Sequence, residues 1–145
     1  MLLTVKVLLS LATLGYSAIP GFFDTNNTHA TNPSWTGHAR YHVVWQVSSY
    51  VYIAVLMLYL IWTAGTDTWP LWIATITAGC VYAGFWTALV LRPVYGGLLV
   101  DKVNGVPPFT WNLFGLKFQT DANISLFTPA IILVAAAGLM LVQLV

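Results

Sequence analysis

Four long apolar segments constrain this chain more than any other feature of its sequence. They fall at about residues 2–19, 35–63, 70–91 and 126–145 of a 145-residue chain that is 59% hydrophobic and 6% charged. About 20 helical residues cross a hydrocarbon core of about 30 Å. Such segments must be helical because lipid offers the backbone no hydrogen-bond partner. The sequence therefore predicts an all-α, integral membrane four-helix bundle in a single domain, residues 1–145.

Proline and helix-capping residues set the expected ends of these segments. Pro20-Gly21 should end the first helix, Ser34 should cap the start of the second, and the fourth should begin near Ser125 or Thr128-Pro129. A signal peptide is the alternative interpretation of the first segment. However, Tyr16 occupies the position where the usual cleavage pattern has a small residue, which favours a retained span.

The distribution of positive charge predicts the orientation of the bundle. Four spans place the first and third connections on one side of the membrane, and both termini with the second connection on the other. The first side carries Arg40, Arg92, Lys102 and Lys117, whereas the opposite side has only Lys6. Because cytoplasmic loops are enriched in Lys and Arg, we expect the first side to face the cytoplasm.

The histidines are concentrated at the start of the second helix. All three lie within fourteen residues, and His38, His42, Gln46 and Ser49 follow helical spacings that place them on one face. Counting back about 20 residues from the far end of the helix puts the hydrocarbon boundary near Val43. Polar groups at that depth usually face the protein interior. The stripe is therefore predicted to form the wall of a polar cavity.

Three interpretations of the histidines remain open from the sequence. They can hydrogen-bond loops and headgroups at the interface, or they can act in general acid–base chemistry, with Asp24 fixing an imidazole tautomer. Alternatively, His38 and His42 can chelate a divalent transition metal ion, with His29 and Asp24 or Asp121 as further ligands.

The connection over residues 93–124 is too long for a simple turn, and long loops in compact domains are usually functional or disordered. Asn104-Gly105 is a hairpin-type turn signal within it. We expect a folded cap over the histidine stripe, because the loop is rich in aromatic side chains: Tyr95, Phe109, Trp111, Phe114 and Phe118.

One segment carries a family resemblance. The sequence NTHATNPSWTGHARYHVVWQ, residues 27–46 between two apolar helices, resembles the small four-helix bacterial membrane proteins of the broad DoxX-like type, and uncharacterised families of similar size. The resemblance implies a four-helix bundle. Those families are mostly without assigned chemistry, so it implies no catalytic residue.

The first functional hypothesis is a membrane-embedded enzyme that isomerises, cyclises or opens an epoxide in a hydrophobic small molecule. His38 and His42 would exchange protons, and Asp24 and Asp121 would orient them. The expected substrate contacts are Arg40, Trp45, Gln46, Ser49 and Trp111. No flavin, nicotinamide or haem motif is visible, so a divalent transition metal is the one cofactor that the histidines suggest.

The second hypothesis is a non-catalytic accessory subunit of a homo-oligomer or a larger membrane complex. We expect the bilayer as a partner in either case, and no nucleic acid. Convergence separates the two hypotheses: an enzyme needs the histidines and aspartates in one pocket, whereas a subunit leaves them on a surface. Of the two, the sequence slightly favours the enzyme.

Overall fold

The computed structural model describes residues 1–101 and 103–144 and consists mostly of helix. Four helices are long and apolar enough to cross a membrane, which fits a multi-pass membrane protein. The predicted helical architecture is confirmed at this level. Lys102 and Val145, which the sequence analysis used, lie outside the described residues. In chain order the elements are α1 (Leu2–Phe23), α2 (Gly37–Thr63), α3 (Trp69–Leu91), β1 (Phe109–Leu113), β2 (Leu116–Thr120) and α4 (Ala122–Val142).

Helix α1 contacts the other three helices and makes the most extensive helix–helix contacts in the bundle. Its buried side chains include Val5, Leu9, Ala12 and Tyr16, which recur every three or four residues and so lie on one face. Small side chains on the neighbouring helices allow close approach of the backbones. These are Ala54, Ala74, Ala78, Ala130 and Ala137, all of them buried.

The outer surface of the helices carries many large apolar side chains. Leu3 on α1, Ile76 on α3, and Ile132 and Leu139 on α4 are each more than half exposed. Soluble monomers rarely expose apolar surface on this scale. The surface therefore has the composition expected for contact with lipid.

Helix α1 continues past the proline that was expected to end it. The helix includes Pro20 and extends to Phe23, and the backbone N–H of Asp24 donates to the Pro20 carbonyl at 2.8 Å. A proline inside a helix removes one hydrogen bond and crowds the preceding turn. Here Pro20 is buried, and we attribute the continuation of the helix to that packing.

The starts of α2 and α4 also differ from the sequence prediction, because of side-chain hydrogen bonds. The side-chain oxygen Oδ1 of Asn32 accepts from both the backbone N–H and the hydroxyl of Ser34, so Ser34 belongs to a turn and does not cap α2. Thr36 caps α2 instead. Helix α4 starts at Ala122, earlier than predicted, because the Asp121 carboxylate accepts from two backbone N–H groups of its first turn.

A lysine joins the start of the chain to the end of α2. The Lys6 ammonium donates to the carbonyl oxygen of Ala64, the C-cap residue of α2, at 2.6 Å. Cations are favourable at helix C-termini because the last carbonyl groups lack partners within the helix. The contact places the beginning of α1 beside the second connection, as the four-span topology requires.

The third connection contains an antiparallel β-hairpin, which the all-α prediction missed. β1 pairs with β2 so that Leu113 faces Leu116, and the loop between them has two residues. Both loop residues, Phe114 and Gly115, have positive φ angles of 51° and 83°, the mark of a type I′ turn. The expected turn signal at Asn104-Gly105 therefore does not form this hairpin.

The hairpin side chains lie mostly on the surface. Every residue of both strands is exposed except Thr120, which is half-buried and bonded to Ser125 of α4 at 2.6 Å. The Trp111 indole donates to the same Thr120 hydroxyl at 2.6 Å. The described contacts thus attach the hairpin to α4, and they do not show it covering the histidine stripe.

Replacement of Phe114 by asparagine should stabilise the hairpin. A left-handed backbone costs most L-residues about 1–2 kcal/mol, and asparagine tolerates it better than phenylalanine. Asn-Gly is also the preferred type I′ pair. Because the Phe114 side chain is 97% exposed, little packing is lost. Amide exchange in β1 and β2 should slow by several-fold; faster exchange in the variant would contradict this account.

Candidate functional site

The two histidines of α2 face each other on the protein surface. His38 and His42 lie one helical turn apart, and their Nε2 atoms are 3.0 Å apart, within hydrogen-bond distance. Two aromatic rings flank the pair: Tyr41 stacks on His38, and Trp45 stacks on His42. All four side chains are exposed. They form an accessible aromatic and imidazole cluster on the first turns of α2.

In the described residues this cluster lies on the outer surface of α2, and the predicted place in the wall of a polar cavity is not seen there. The buried residues of α2 are Val47, Ala54, Met57 and Ile61. On an ideal helix their mean direction lies about 110° from that of the polar stripe, by the 3.6-residue period. None of residues 37–46, all of which the structure describes, is buried. The first turns of α2 are therefore free of the bundle on most sides.

The exposed surface continues along α2 beyond the histidines. We call the α2 outer face the set His38, His42, Trp45, Tyr52 and Tyr59, all of them exposed and separated by four, three, seven and seven residues. Residues with these spacings lie within about 100° of one another around a helix. The α2 outer face is thus a nearly straight strip of polar and aromatic groups.

Gln46 lies beside one edge of this strip, and Ser49 lies within its angular range. Gln46 is exposed, and its Nε2 donates to the Tyr50 hydroxyl at 3.1 Å. That bond uses one of its two N–H donors and does not use its carbonyl oxygen. Ser49 is half-buried. The predicted substrate-binding residues of α2 therefore lie on the outside of the helix or at its edge.

The third histidine belongs to a different group. His29 Nδ1 lies 3.5 Å from the Asp24 carboxylate and 2.8 Å from the Thr28 hydroxyl, and the ring meets Trp35 edge-on. Burial raises the pKa of Asp24, and the nearby His29 partly opposes that shift. In the described residues no hydrogen bond joins this loop pair to the histidines of α2. The structure therefore presents two separate histidine groups.

The remaining predicted site residues have local structural contacts. Both hydrogen bonds recorded for the Asp121 carboxylate go to the backbone at the start of α4. Arg40 is half-buried, and its Nε has no hydrogen-bond partner in the part of the chain that the structure describes. In the described chain, neither side chain forms a hydrogen bond with the His38–His42 pair.

The predicted metal ligands are divided in the same way. Within residues 1–101 and 103–144, no group of three or more His, Cys, Asp or Glu side chains could hold a metal ion. His38 and His42 alone supply two imidazoles on one side of a helix. Structural zinc sites use four protein ligands and catalytic sites use three. One chain therefore offers at most half of a four-ligand site at this position.

Sequence reasoning missed a polar cluster that joins the two connections on the histidine side. Asn32 is fully buried, and its Nδ2 donates to the Thr28 carbonyl at 3.1 Å and to the Asp101 carboxylate at 3.2 Å. The Trp35 indole and the Asn104 side chain complete the cluster. We call Asn32, Trp35, Asp101 and Asn104 the loop clamp. The clamp places the first and third connections on the same side of the bundle.

Acidification should open the loop clamp through Asp101. The backbone N–H groups of Val103 and Asn104, and then Asn32 and Trp35, hold the pKa of the Asp101 carboxyl below its ordinary value. A carboxyl group whose pKa is lowered by folding stabilises the folded state at pH values above its unfolded pKa of about 4. This stabilisation is lost as the pH falls through the folded-state pKa. The pKa of Asp24 is raised, so the effect of this group on stability is opposite: its protonation on acidification stabilises the folded state.

This pH dependence can be followed at Trp35. In protein labelled with 5-fluorotryptophan, the ¹⁹F resonance of Trp35 should shift below about pH 4 as its carboxylate acceptor is protonated. Asp101→Asn should largely remove that transition because its side chain does not titrate. A transition of the same size in both proteins would show that Asp101 is not its source.

Two open clefts on the described surface lie away from the histidines of α2. The first has a volume of about 440 Å³ and is lined by Trp35, Gly96, Leu98 and Asp101, beside the loop clamp. The second has about 470 Å³ and lies at the opposite end, around Trp69 and neighbouring residues. Neither of these two clefts brings His38 and His42 together with Asp24 and Asp121.

Comparison with family models, curated proteins and solved structures finds no match to this chain. The resemblance of residues 27–46 to DoxX-like proteins stays a prediction.

Proposed function

We propose that this chain is a non-catalytic, membrane-spanning subunit that presents the α2 outer face to another membrane-spanning chain. The observation that carries the proposal is the exposure of Tyr52, which is 74% exposed. It lies 15 residues after Gly37, about 22 Å along a helix of about 40 Å. A hydroxyl at that depth would face hydrocarbon, where polar groups are costly unless protein covers them.

The separation of the histidine groups also supports a subunit over an enzyme. His38 and His42 lie on the outer surface of α2, whereas Asp24 and His29 pair within a loop. A catalytic site would require these groups to converge on one substrate. A contact surface requires only that they be accessible to a neighbour.

The proposal includes an orientation and a place for the aromatic hairpin. Arg40, Arg92 and Lys117 all belong to the side where the loop clamp joins the two connections, and this bias favours a cytoplasmic location. In the assembled complex the exposed hairpin of β1 and β2 would cap the same end. Its aromatic side chains would then contact the partner or the lipid headgroups.

Photo-crosslinking in native membranes tests the proposal. A photoreactive phenylalanine analogue at Tyr52 should form protein adducts, because a partner helix covers this position. Leu139 is the matched control, since it is 70% exposed but lies on α4, outside the α2 outer face. The same analogue at Leu139 should react mainly with lipid. Lipid adducts alone at both positions would contradict the subunit proposal.

The second candidate function is acid–base catalysis on a hydrophobic small molecule, and the His38–His42 contact favours it. Two imidazoles 3.0 Å apart can pass a proton between their Nε2 atoms. Such an enzyme should retain a lipophilic molecule on purification, and mass spectrometry of a solvent extract would detect it. The molecule should be lost from His38→Ala; an identical extract from wild type and variant would count against catalysis at this site.

A further inference from the structure

The polar groups of the α2 outer face share a chemical property. A neutral imidazole and a tyrosine hydroxyl each carry both a hydrogen-bond donor and an acceptor. This description covers His38, His42, Tyr52 and Tyr59, and the amide of Gln46 at the edge of the strip has the same property. No charged side chain belongs to this face. Each of these groups can therefore pair with an identical group.

Membrane insertion makes such self-pairing geometrically simple. Two copies of one chain have the same orientation in the bilayer, so a two-fold axis between them runs along the membrane normal. The two α2 helices would then be parallel, and each residue of the strip would lie at the same depth as its counterpart. A two-fold interface brings the same surface patch of both subunits together. The α2 outer face meets the requirement of self-complementarity.

The histidine pair has the spacing of two ligands on one metal ion. Nitrogens about 2.1 Å from a shared ion lie about 3.0 Å apart at a right angle and about 3.4 Å apart at a tetrahedral angle. The Nε2 atoms of His38 and His42 are 3.0 Å apart. A further separation of about 0.4 Å would give tetrahedral geometry. Two such pairs supply four imidazole ligands.

We propose that two copies of this chain pack α2 against α2, and that the two His38–His42 pairs together bind one divalent transition metal ion. This inference rests on the proposed function and names the partner of the same surface as a second copy. The histidines lie in the first two turns of α2, where ions can reach them from water. Gln46, Tyr52 and Tyr59 would pair with their counterparts deeper along the strip.

Zinc titration of the purified full-length protein tests this proposal. The protein is stripped with a chelator, Zn²⁺ is added, and native mass spectrometry counts chains and ions. We expect one zinc ion per two chains and a rise in the dimer fraction with zinc. His38→Gln/His42→Gln should weaken zinc binding by more than about 100-fold, since loss of even an outer partner costs about 10–100-fold. His29→Gln, which changes only the loop histidine, should behave as wild type.

Three results of the titration would overturn the inference. They are one zinc ion per single chain, equal zinc binding by wild type and the double variant, or a dimer fraction that does not respond to zinc. Circular dichroism of the double variant provides the folding control, and the exposed histidines should be replaceable without loss of helix. If the Tyr52 photo-adduct contains a different chain and no second copy, this inference fails while the proposed function stands.

Discussion

Replacement of Gly15 by alanine should destabilise the bundle by about 2–5 kcal/mol, the sum of overpacking and a weakened buried hydrogen bond. A Cβ at position 15 would lie 2.6 Å from the Tyr82 hydroxyl oxygen. That hydroxyl donates to the Ala12 carbonyl at 2.6 Å, and the Tyr82 ring is buried between Tyr16 and Phe127. The tyrosine therefore has little freedom to move away. Equilibrium unfolding in detergent measures the change.

Two further variants separate this contact from a general effect of alanine. Gly79→Ala on α3 is the matched control, because nothing lies within 4 Å of its added Cβ, and alanine is the better helix former. In a Tyr82→Phe background, Gly15→Ala should cost much less, since the clashing oxygen is gone. Additive costs in this double-mutant cycle would contradict a direct Gly15–Tyr82 contact.

Replacement of Asn32 by alanine should open the loop clamp and leave the helices intact. The side chain donates to the Thr28 carbonyl and Asp101, and its oxygen accepts from Ser34 and Asn104. Loss of such a buried group leaves its partners unsatisfied, at a cost of about 1–3 kcal/mol each. Hydrogen exchange should accelerate by at least about tenfold in residues 24–36 and 98–101, since about 1.4 kcal/mol corresponds to a factor of ten.

Asn27→Ala provides the control for this effect. Asn27 lies in the same loop and is exposed, so its replacement should leave exchange near the wild-type rate. Equal acceleration in both variants would indicate a loop that is sensitive to any substitution. Unchanged exchange in Asn32→Ala would contradict the clamp.

The helices could be predicted from sequence because length and hydropathy alone decide whether a segment can span a bilayer. The ends were less predictable, since they depend on which side chains bind the backbone. Pro20 was expected to end α1 but lies within it, and Asp121 starts α4 before the predicted position. Ser34 has a typical N-cap side chain, but both its N–H and its hydroxyl donate to the Asn32 side chain, so it does not cap α2.

The histidine stripe shows a different limit of sequence reasoning. Helical periodicity correctly grouped His38 with His42, and their Nε2 atoms are in contact. Periodicity does not state which face packs against the bundle. The rule that polar groups face the interior gave the wrong direction here, because Val47, Ala54 and Met57 make the contacts with the bundle. The rule describes a complete assembly, and under the proposed function a second chain would cover this face.

The loop clamp and the hairpin depend on contacts that local patterns do not reveal. Asn32 and Asp101 are 69 residues apart in sequence, so nothing near either residue predicts their hydrogen bond. The hairpin turn uses Phe114 with a positive φ, a conformation that phenylalanine rarely adopts. The more typical signal at Asn104-Gly105 lies within the clamp instead, where the Asn104 side chain donates to Asn32.

Carbene footprinting of the unmodified protein in its native membrane tests the central claim most directly. A lipid-dissolved diazirine reagent labels side chains that face the bilayer, and mass spectrometry locates the labels. We predict strong labelling of Ile132 and Leu139 on α4 and at least about tenfold weaker labelling of Tyr52, because protein covers the α2 outer face. Labelling of Tyr52 as strong as that of Leu139, which has a similar exposed fraction in the single chain, would contradict the account.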